Sequence, residues 1–241
     1  MLRFLPPFFL LFTALPLRAE QALVAVAANF LKPAEVLAAL YELDSGHKIQ
    51  LAGGSTGQHY AQILHGTPYD VFLAADDQRP RLLQEQGLAQ DRRTEAGGRV
   101  ARCSADPEFP VDQGPEGLKD AGFVAIANPS LAPYGRAAQE VLEAAGLSEH
   151  LQGQLVQGQN VGQAFGMVAS GNARVGLVAL SMAQAAEGAF TVIPHDLHSP
   201  IRQDAVLLNR GKGNLAAEGF LAYLASDTAL AVLEEYGYAR P

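Results

Sequence analysis

The chain has 241 residues, a net charge of −8 and no tryptophan. That length admits one large domain or two small lobes, and the acidic balance excludes a nucleic-acid partner, whose phosphates require clustered Lys and Arg. Overall charge offers no attraction to an anion either, so an anion site here has to supply its own donors.

The N-terminus opens with Met1-Leu2-Arg3, runs through an apolar stretch from Phe4 to Leu17 broken by Pro6, Pro7 and Pro16, and reaches Arg18-Ala19 before Glu20. This layout predicts a secretory signal peptide over residues 1–19, with cleavage after Ala19 and an apolar core too short for a membrane span. No cysteine stands at the cleavage point, so no lipid anchor is expected. The mature chain is expected to be a soluble periplasmic protein and a monomer.

Leu23 to Ala27 is an apolar run of the kind that forms a strand buried on both faces. Asn29 ends it. Pro33 suits a first helical turn, Val36, Leu37, Leu40 and Leu43 recur at helical spacing, and Gly46 is the stop. Lys48 to Ala52 reads as a second strand, followed by Gly53-Gly54-Ser55-Thr56-Gly57 and a helix through Tyr60, Ile63 and Leu64. Asp70 to Ala75 is a third strand, and Leu82 and Leu83 belong to a helix ending near Gly87. Strand and helix alternate, which implies a parallel sheet with helical covers.

Arg99 to Ser104 reads as a strand leaving the first unit. Its Cys103, the sole cysteine, is expected to be inert and half-buried. A Pro- and Gly-rich stretch covers 105–117. Phe123 to Ala127 is a strand, Asn128 to Gly135 a loop, and Arg136 to Ala145 a helix. Gly158-Gln159-Asn160 leads into a helix from Val161 to about Ser170. Arg174 to Leu180 is a strand, Ser181 to Glu187 a short helix, and Ile201 to Leu208 a strand. Residues 215–236 form a helical end, with Phe220, Leu221, Leu224, Ala231 and Leu233 as core candidates.

Four strand-to-helix turns place small or polar residues at a helix start: Ala28-Asn29, Ser55-Thr56-Gly57, Pro133-Tyr134-Gly135 and Asn160-Val161-Gly162. Helix starts carry unpaired N–H groups and a partial positive charge, so they hold anions without Lys or Arg. Asn29 and Thr56 are also ordinary capping residues, and Tyr134 also fits a surface ring. Asp70, Asp76 and Asp77 invite an acid–base reading, but Asp76-Asp77 suits a helix cap. The six histidines lack a zinc spacing, His195 and His198 coming nearest. No nucleophile elbow and no Cys–His signature is present. No catalytic residue, no direct metal ligand and no cofactor is therefore expected.

Ala27-Ala28-Asn29-Phe30, Gly53 to Gly57, ILHGTPYDVFLAAD at 63–76, NPSLAPYG at 128–135, Asn160 to Ala164 and Tyr236-Gly237-Tyr238 together resemble the periplasmic molybdate-binding proteins of ABC transporters, the Azotobacter-like branch above all. The resemblance runs along nearly all of the mature chain. It implies an α/β, two-lobed type II periplasmic-binding-protein fold, each lobe a mostly parallel sheet with flanking helices. Lobe I would be residues 20–99 with 204–241, and lobe II residues 100–203. The chain would cross near Arg99–Ser104 and Ile201–Leu208. It further implies a molybdate or tungstate oxyanion held by Ala28, Asn29, Thr56, Tyr134 and Val161, and delivery to an ABC permease with its ATPase. Ala28 offers only its backbone, and Thr56 a hydroxyl beside a methyl. The alternative is a binding protein for another small anion, such as sulfate, a phosphonate or an organic acid. That reading wants an Arg or Lys in the cleft, and only Arg136 follows one of the four turns.

Overall fold

The computed structural model describes residues 19–240. The expected signal peptide, apart from Ala19, lies outside the described residues.

Two five-stranded sheets carry the fold. The first is built on β1 (Gln21–Ala27), which pairs in parallel with β2 (Lys48–Gly54) and β3 (Val71–Ala74). β10 (Ile201–Leu208) adds antiparallel to β3, and β4 (Ala89–Gly98) antiparallel to β10. The second sheet repeats the plan. β6 (Val124–Ala127) pairs in parallel with β7 (Leu155–Gly158) and β8 (Val175–Ala179), while β5 (Val100–Ser104) runs antiparallel to β8 and to β9 (Ala189–Val192). Each sheet is therefore mixed. The chain passes from the first to the second between β4 and β5, and returns between β9 and β10. Ile201, Arg202 and Gln203 pair with Gly98, Gly97 and Ala96, so the whole of β10 belongs to the first sheet.

β1 is an unbroken apolar run because both of its faces are covered. Val24 and Val26 pack on one side with Phe220 and Leu221, while Ala25 packs on the other with Phe72 and Leu83, as the alternation of a strand requires. The covers of the first sheet are α1 (Leu31–Ser45), α2 (Thr56–Leu64), α3 (Gln78–Glu85), α7 (Leu215–Tyr223) and α8 (Asp227–Glu235). Those of the second are α4 (Pro133–Ala144), α5 (Val161–Ala169) and the short α6 (Leu180–Ala183). Gly46 ends α1 in the left-handed region at φ 73°, where a side chain is disfavoured. Full burial of a side chain such as Phe72 or Phe220 contributes roughly 1.5–3 kcal/mol.

The structure corrects several sequence expectations. β4, β7 and β9 are edge strands not expected from the sequence; β4 is polar, and β7 and β9, at four residues each, are too short to show the alternation that marks a half-buried strand. α4 starts at Pro133, not Arg136, because proline suits the first helical position. The buried stripe of α1 is Pro33, Ala34, Leu37, Ala38 and Tyr41, whereas Val36 and Leu43 face solvent. Ala231 is exposed as well, and Phe123 lies exposed just before β6. Cys103 is fully rather than half-buried, and burial pushes its thiol up to about 12. The Pro- and Gly-rich stretch is pinned by Arg102, a buried side chain whose Nη2 donates to Pro110 O at 3.0 Å and whose Nη1 donates to Gly114 O.

Candidate functional site

The ends of β1 and β2, the residue after β3, the loop into α4 and the start of α5 meet between the two sheets. Ala28, Asn29, Thr56, Tyr134 and Val161 all line one cavity there, with Gly54, Ser55, Ala75, Pro133 and Asn160 among their neighbours. No Lys, Arg, Asp or Glu lines it. The void is about 10 Å³, on a scale where roughly 10–15 Å³ accommodates a single water and pockets for drug-sized ligands run to hundreds. Two larger grooves of about 340 and 740 Å³ adjoin it, but the helix starts converge on the small one.

Capping decides which N–H groups remain free. At α2, Ser55 Oγ accepts from Gln58 N at 3.2 Å and Ser55 O from His59 N at 3.0 Å, while Gly57 N donates to Leu131 O at 2.8 Å. Thr56 N–H is left. At α4 proline has no N–H, and Gly135 N and Arg136 N both donate to Ala132 O. Tyr134 N–H is left. At α5, Asn160 caps Gln163 N at 3.0 Å and accepts from Ala164 N through its own carbonyl at 3.2 Å, which leaves the N–H groups of Val161, on the cavity, and of Gly162 beside it. The 3-10 turn Ala28–Phe30 likewise begins with Ala28 and Asn29. First-turn N–H groups have no acceptor within their helix. Among the described residues, these six find none in the turns and loops either. The cavity is thus walled by donors aligned with the positive ends of helices.

Side chains refine the picture. Thr56 Oγ1 accepts from Ala75 N at 3.0 Å, so its own hydrogen is available to a guest. Asn29 does not offer its side-chain amide. Both Nδ2 hydrogens are spent, on Gln203 Oε1 at 2.8 Å and on the Tyr238 hydroxyl at 2.9 Å. Asn29 O accepts from the hydroxyls of Tyr238 at 2.8 Å and Ser181 at 3.0 Å. The amide therefore fixes its turn and leaves the backbone N–H to face the cavity. Tyr134 is buried rather than a surface ring, and burial, with the Tyr238 hydroxyl nearby, raises its pKa well above the usual value.

Ser55, Ser181, Gln203 and Tyr238 support the site without belonging to the donor set expected from the sequence. Ser55 and Tyr238 stand within the motifs that carry the resemblance. Ser181 and Gln203 reach Asn29 through contacts far apart in sequence, which no local pattern announces. The acidic residues serve the scaffold. Asp70 accepts from Leu23 N at 2.8 Å and from Arg210 at 2.6 Å, and Asp76 accepts from Arg79 N at 3.0 Å. No cluster of His, Cys, Asp and Glu suited to a metal ion occurs among the described residues.

Known proteins are similar to this chain along most of its length. The model of the family described as bacterial extracellular solute-binding protein matches residues 22–239. The molybdate-binding protein ModA of Rhodobacter capsulatus is 43% identical over 228 residues, covering 93% of this chain and 90% of that protein. Its namesake from Azotobacter vinelandii is 44% identical over 228 residues, covering 92% and 90%. A solved structure of the Azotobacter vinelandii periplasmic molybdate-binding protein aligns with a TM-score of 0.87 at 36% identity, covering 91% of this chain and 99% of that one.

Proposed function

The chain belongs to the bacterial extracellular solute-binding protein family, and from that premise we propose that it captures molybdate or tungstate and delivers it to an ABC permease with its ATPase. Residues 1–19 direct export to the periplasm and are removed there, leaving a soluble monomer without a lipid anchor. Residues 20–99 with 201–241 form one lobe, three residues more than the 204–241 expected from the sequence because all of β10 pairs in the first sheet, and residues 100–200 form the other; the anion is bound as they close. Ala28, Asn29, Thr56, Tyr134 and Val161 hold the oxygens, mainly through backbone N–H, with the Thr56 hydroxyl adding a side-chain donor.

The observation that carries this reading is the small cavity walled by N–H donors from both sheets and by no charged side chain. A full dianion draws charge-assisted hydrogen bonds from such a wall, strengthened by exclusion of water. Hydrogen phosphate brings an O–H that finds no carboxylate acceptor. An organic acid or phosphonate wants an Arg or Lys in the cleft, and none lines the cavity. Discrimination against sulfate rests on the width of the cavity once closed around the anion, because molybdate and tungstate are larger. Titration calorimetry of the mature chain with molybdate, tungstate, sulfate and phosphate tests the reading: tight binding of the first two alone is expected. Phosphate binding as tightly as molybdate, or no heat with any oxyanion, refutes it.

A further inference from the structure

Besides the bonds that tie Ser181 to Asn29 and Tyr238, three contacts from α2 and α3 reach the second half of the molecule around the cavity. Gly57 N donates to Leu131 O at 2.8 Å. Gln58 Nε2 donates to Gln159 Oε1 at 2.7 Å, and Arg79 Nη2 reaches Ser130 O at 3.4 Å. Gly57 follows Thr56 directly, Leu131 lies in the loop that leads into α4 and Tyr134, and Gln159 precedes Asn160 and Val161. The contacts are thus coupled to the donors around the cavity.

Gly57 is the tightest point of this seam. A Cβ there meets Leu131 O at 2.8 Å and Leu131 Cα at 3.1 Å. Both are backbone atoms, so the clash is not relieved by turning a side chain; the loop or the whole half has to move. The backbone of Gly57 is helical, and alanine is the better helix former. An alanine is therefore welcome within α2 and unwelcome only where the two halves meet.

We propose that the Gly57–Leu131 backbone bond is a gauge that fixes the width of the closed cavity and so selects the oxyanion by size, an inference that rests on the oxyanion reading above. With the bond formed, Thr56 on one side and Tyr134 on the other stand at a set separation. An anion that matches it touches both walls. A larger one breaks the bond, and a smaller one leaves donors short of its oxygens. Anything that holds Gly57 away from Leu131 widens the cavity and disfavours closure, without removing a donor.

The test compares the mature wild-type chain with Gly57→Ala and Gly57→Val, using molybdate, tungstate and sulfate in calorimetry and stopped-flow measurements. Gly57→Ala is expected to weaken molybdate binding about tenfold, the size of one lost hydrogen bond to closure. The loss is expected in the dissociation rate, and Gly57→Val loses more. The molybdate-to-sulfate affinity ratio falls in both, while the ligand-free melting temperature of Gly57→Ala stays level or rises. A wild-type chain that binds no oxyanion removes the functional reading, and the gauge with it. A wild type that binds molybdate, beside a Gly57→Ala variant with an unchanged dissociation rate and ratio, overturns the gauge and leaves the functional reading standing. A lower ligand-free melting temperature in Gly57→Ala overturns it too, since the residue then serves the fold itself.

Discussion

Thr56 Oγ1 accepts the backbone N–H of Ala75 at 3.0 Å. One bond does two things: it ties the start of α2 to the end of β3, and it uses a lone pair of the hydroxyl so that its hydrogen is left for a ligand. Thr56→Val keeps the shape and removes the hydroxyl. Molybdate binding is expected to weaken by about 1.5–3 kcal/mol, the range for a hydrogen bond to a charged group. Thr56→Ser is expected to keep most of the affinity. Calorimetry on both variants decides it, and equal affinity in Thr56→Val and wild type means that the hydroxyl does not reach the anion.

Tyr238 stands at the far end of the chain from the turn it supports. Its hydroxyl donates to Asn29 O and accepts from Asn29 Nδ2, and burial raises its pKa above the usual phenol range. The hydroxyl therefore remains a neutral donor at any pH at which the protein functions. Tyr238→Phe leaves one Asn29 Nδ2 hydrogen buried without an acceptor, at a cost of about 1–3 kcal/mol. Urea unfolding should show a lower midpoint at constant slope. An unchanged midpoint indicates that Asn29 finds another partner.

The helix-start turns are largely legible in the sequence because helix starts obey local rules. Ser55 and Asn160 announce where α2 and α5 begin, whereas α4 begins at Pro133, three residues before the Arg136 expected, and the free N–H groups follow from those positions. The role of the Asn29 amide is not legible. An amide beside a free N–H reads as a ligand donor, and only the fold brings Gln203 and Tyr238 close enough to claim it. β4 escapes a sequence reading for a different reason. Its residues Asp91, Arg92 and Arg93 are those of a surface segment, and the strand exists because β10 offers it an edge. Long-range pairing of this kind leaves no periodicity to read.

Gly135 is a position where sequence and structure meet. A Cβ there falls 2.7 Å from Asn128 C and 2.8 Å from Ala127 C, with Ala127 O nearer still. These are backbone atoms at the end of β6, so α4 has to shift to make room. Gly135→Ala is expected to destabilise the protein by roughly 1–3 kcal/mol, in the manner of an overpacked core. It should also weaken molybdate binding, because Tyr134 moves with the helix. Thermal unfolding and calorimetry on one preparation check both, and a variant with wild-type values shows that the start of α4 yields at little cost.

Glu95 provides the pH test. It is buried at 4% exposure on β4, and its carboxyl is pushed up to about 7. Burial is the main cause. Arg93, at 3.4 Å, pulls the value down, and the carboxylate of Asp204 pushes it up again. Asp204 is itself held by Arg92 at 2.6 Å and Thr94 at 2.7 Å, which fixes its carboxyl beside its neighbour. In the unfolded chain Glu95 returns to an ordinary value near 4.5. Between those values the folded state binds the extra proton, so stability falls as pH rises from 4.5 towards 7. Below 4.5 both states are protonated and the contribution is fully present; above about 7 it is gone. Glu95→Gln removes the titration while keeping the shape. Relative to wild type it is expected to gain up to about 3 kcal/mol at pH 8, since each tenfold difference in proton affinity between the folded and unfolded chains is worth roughly 1.4 kcal/mol. Most of that gain is absent at pH 4.5. Urea unfolding of both proteins across this range reads the difference directly. Parallel stability curves would show that Glu95 titrates as it does in the unfolded chain, with water reaching its carboxyl between β4 and β10.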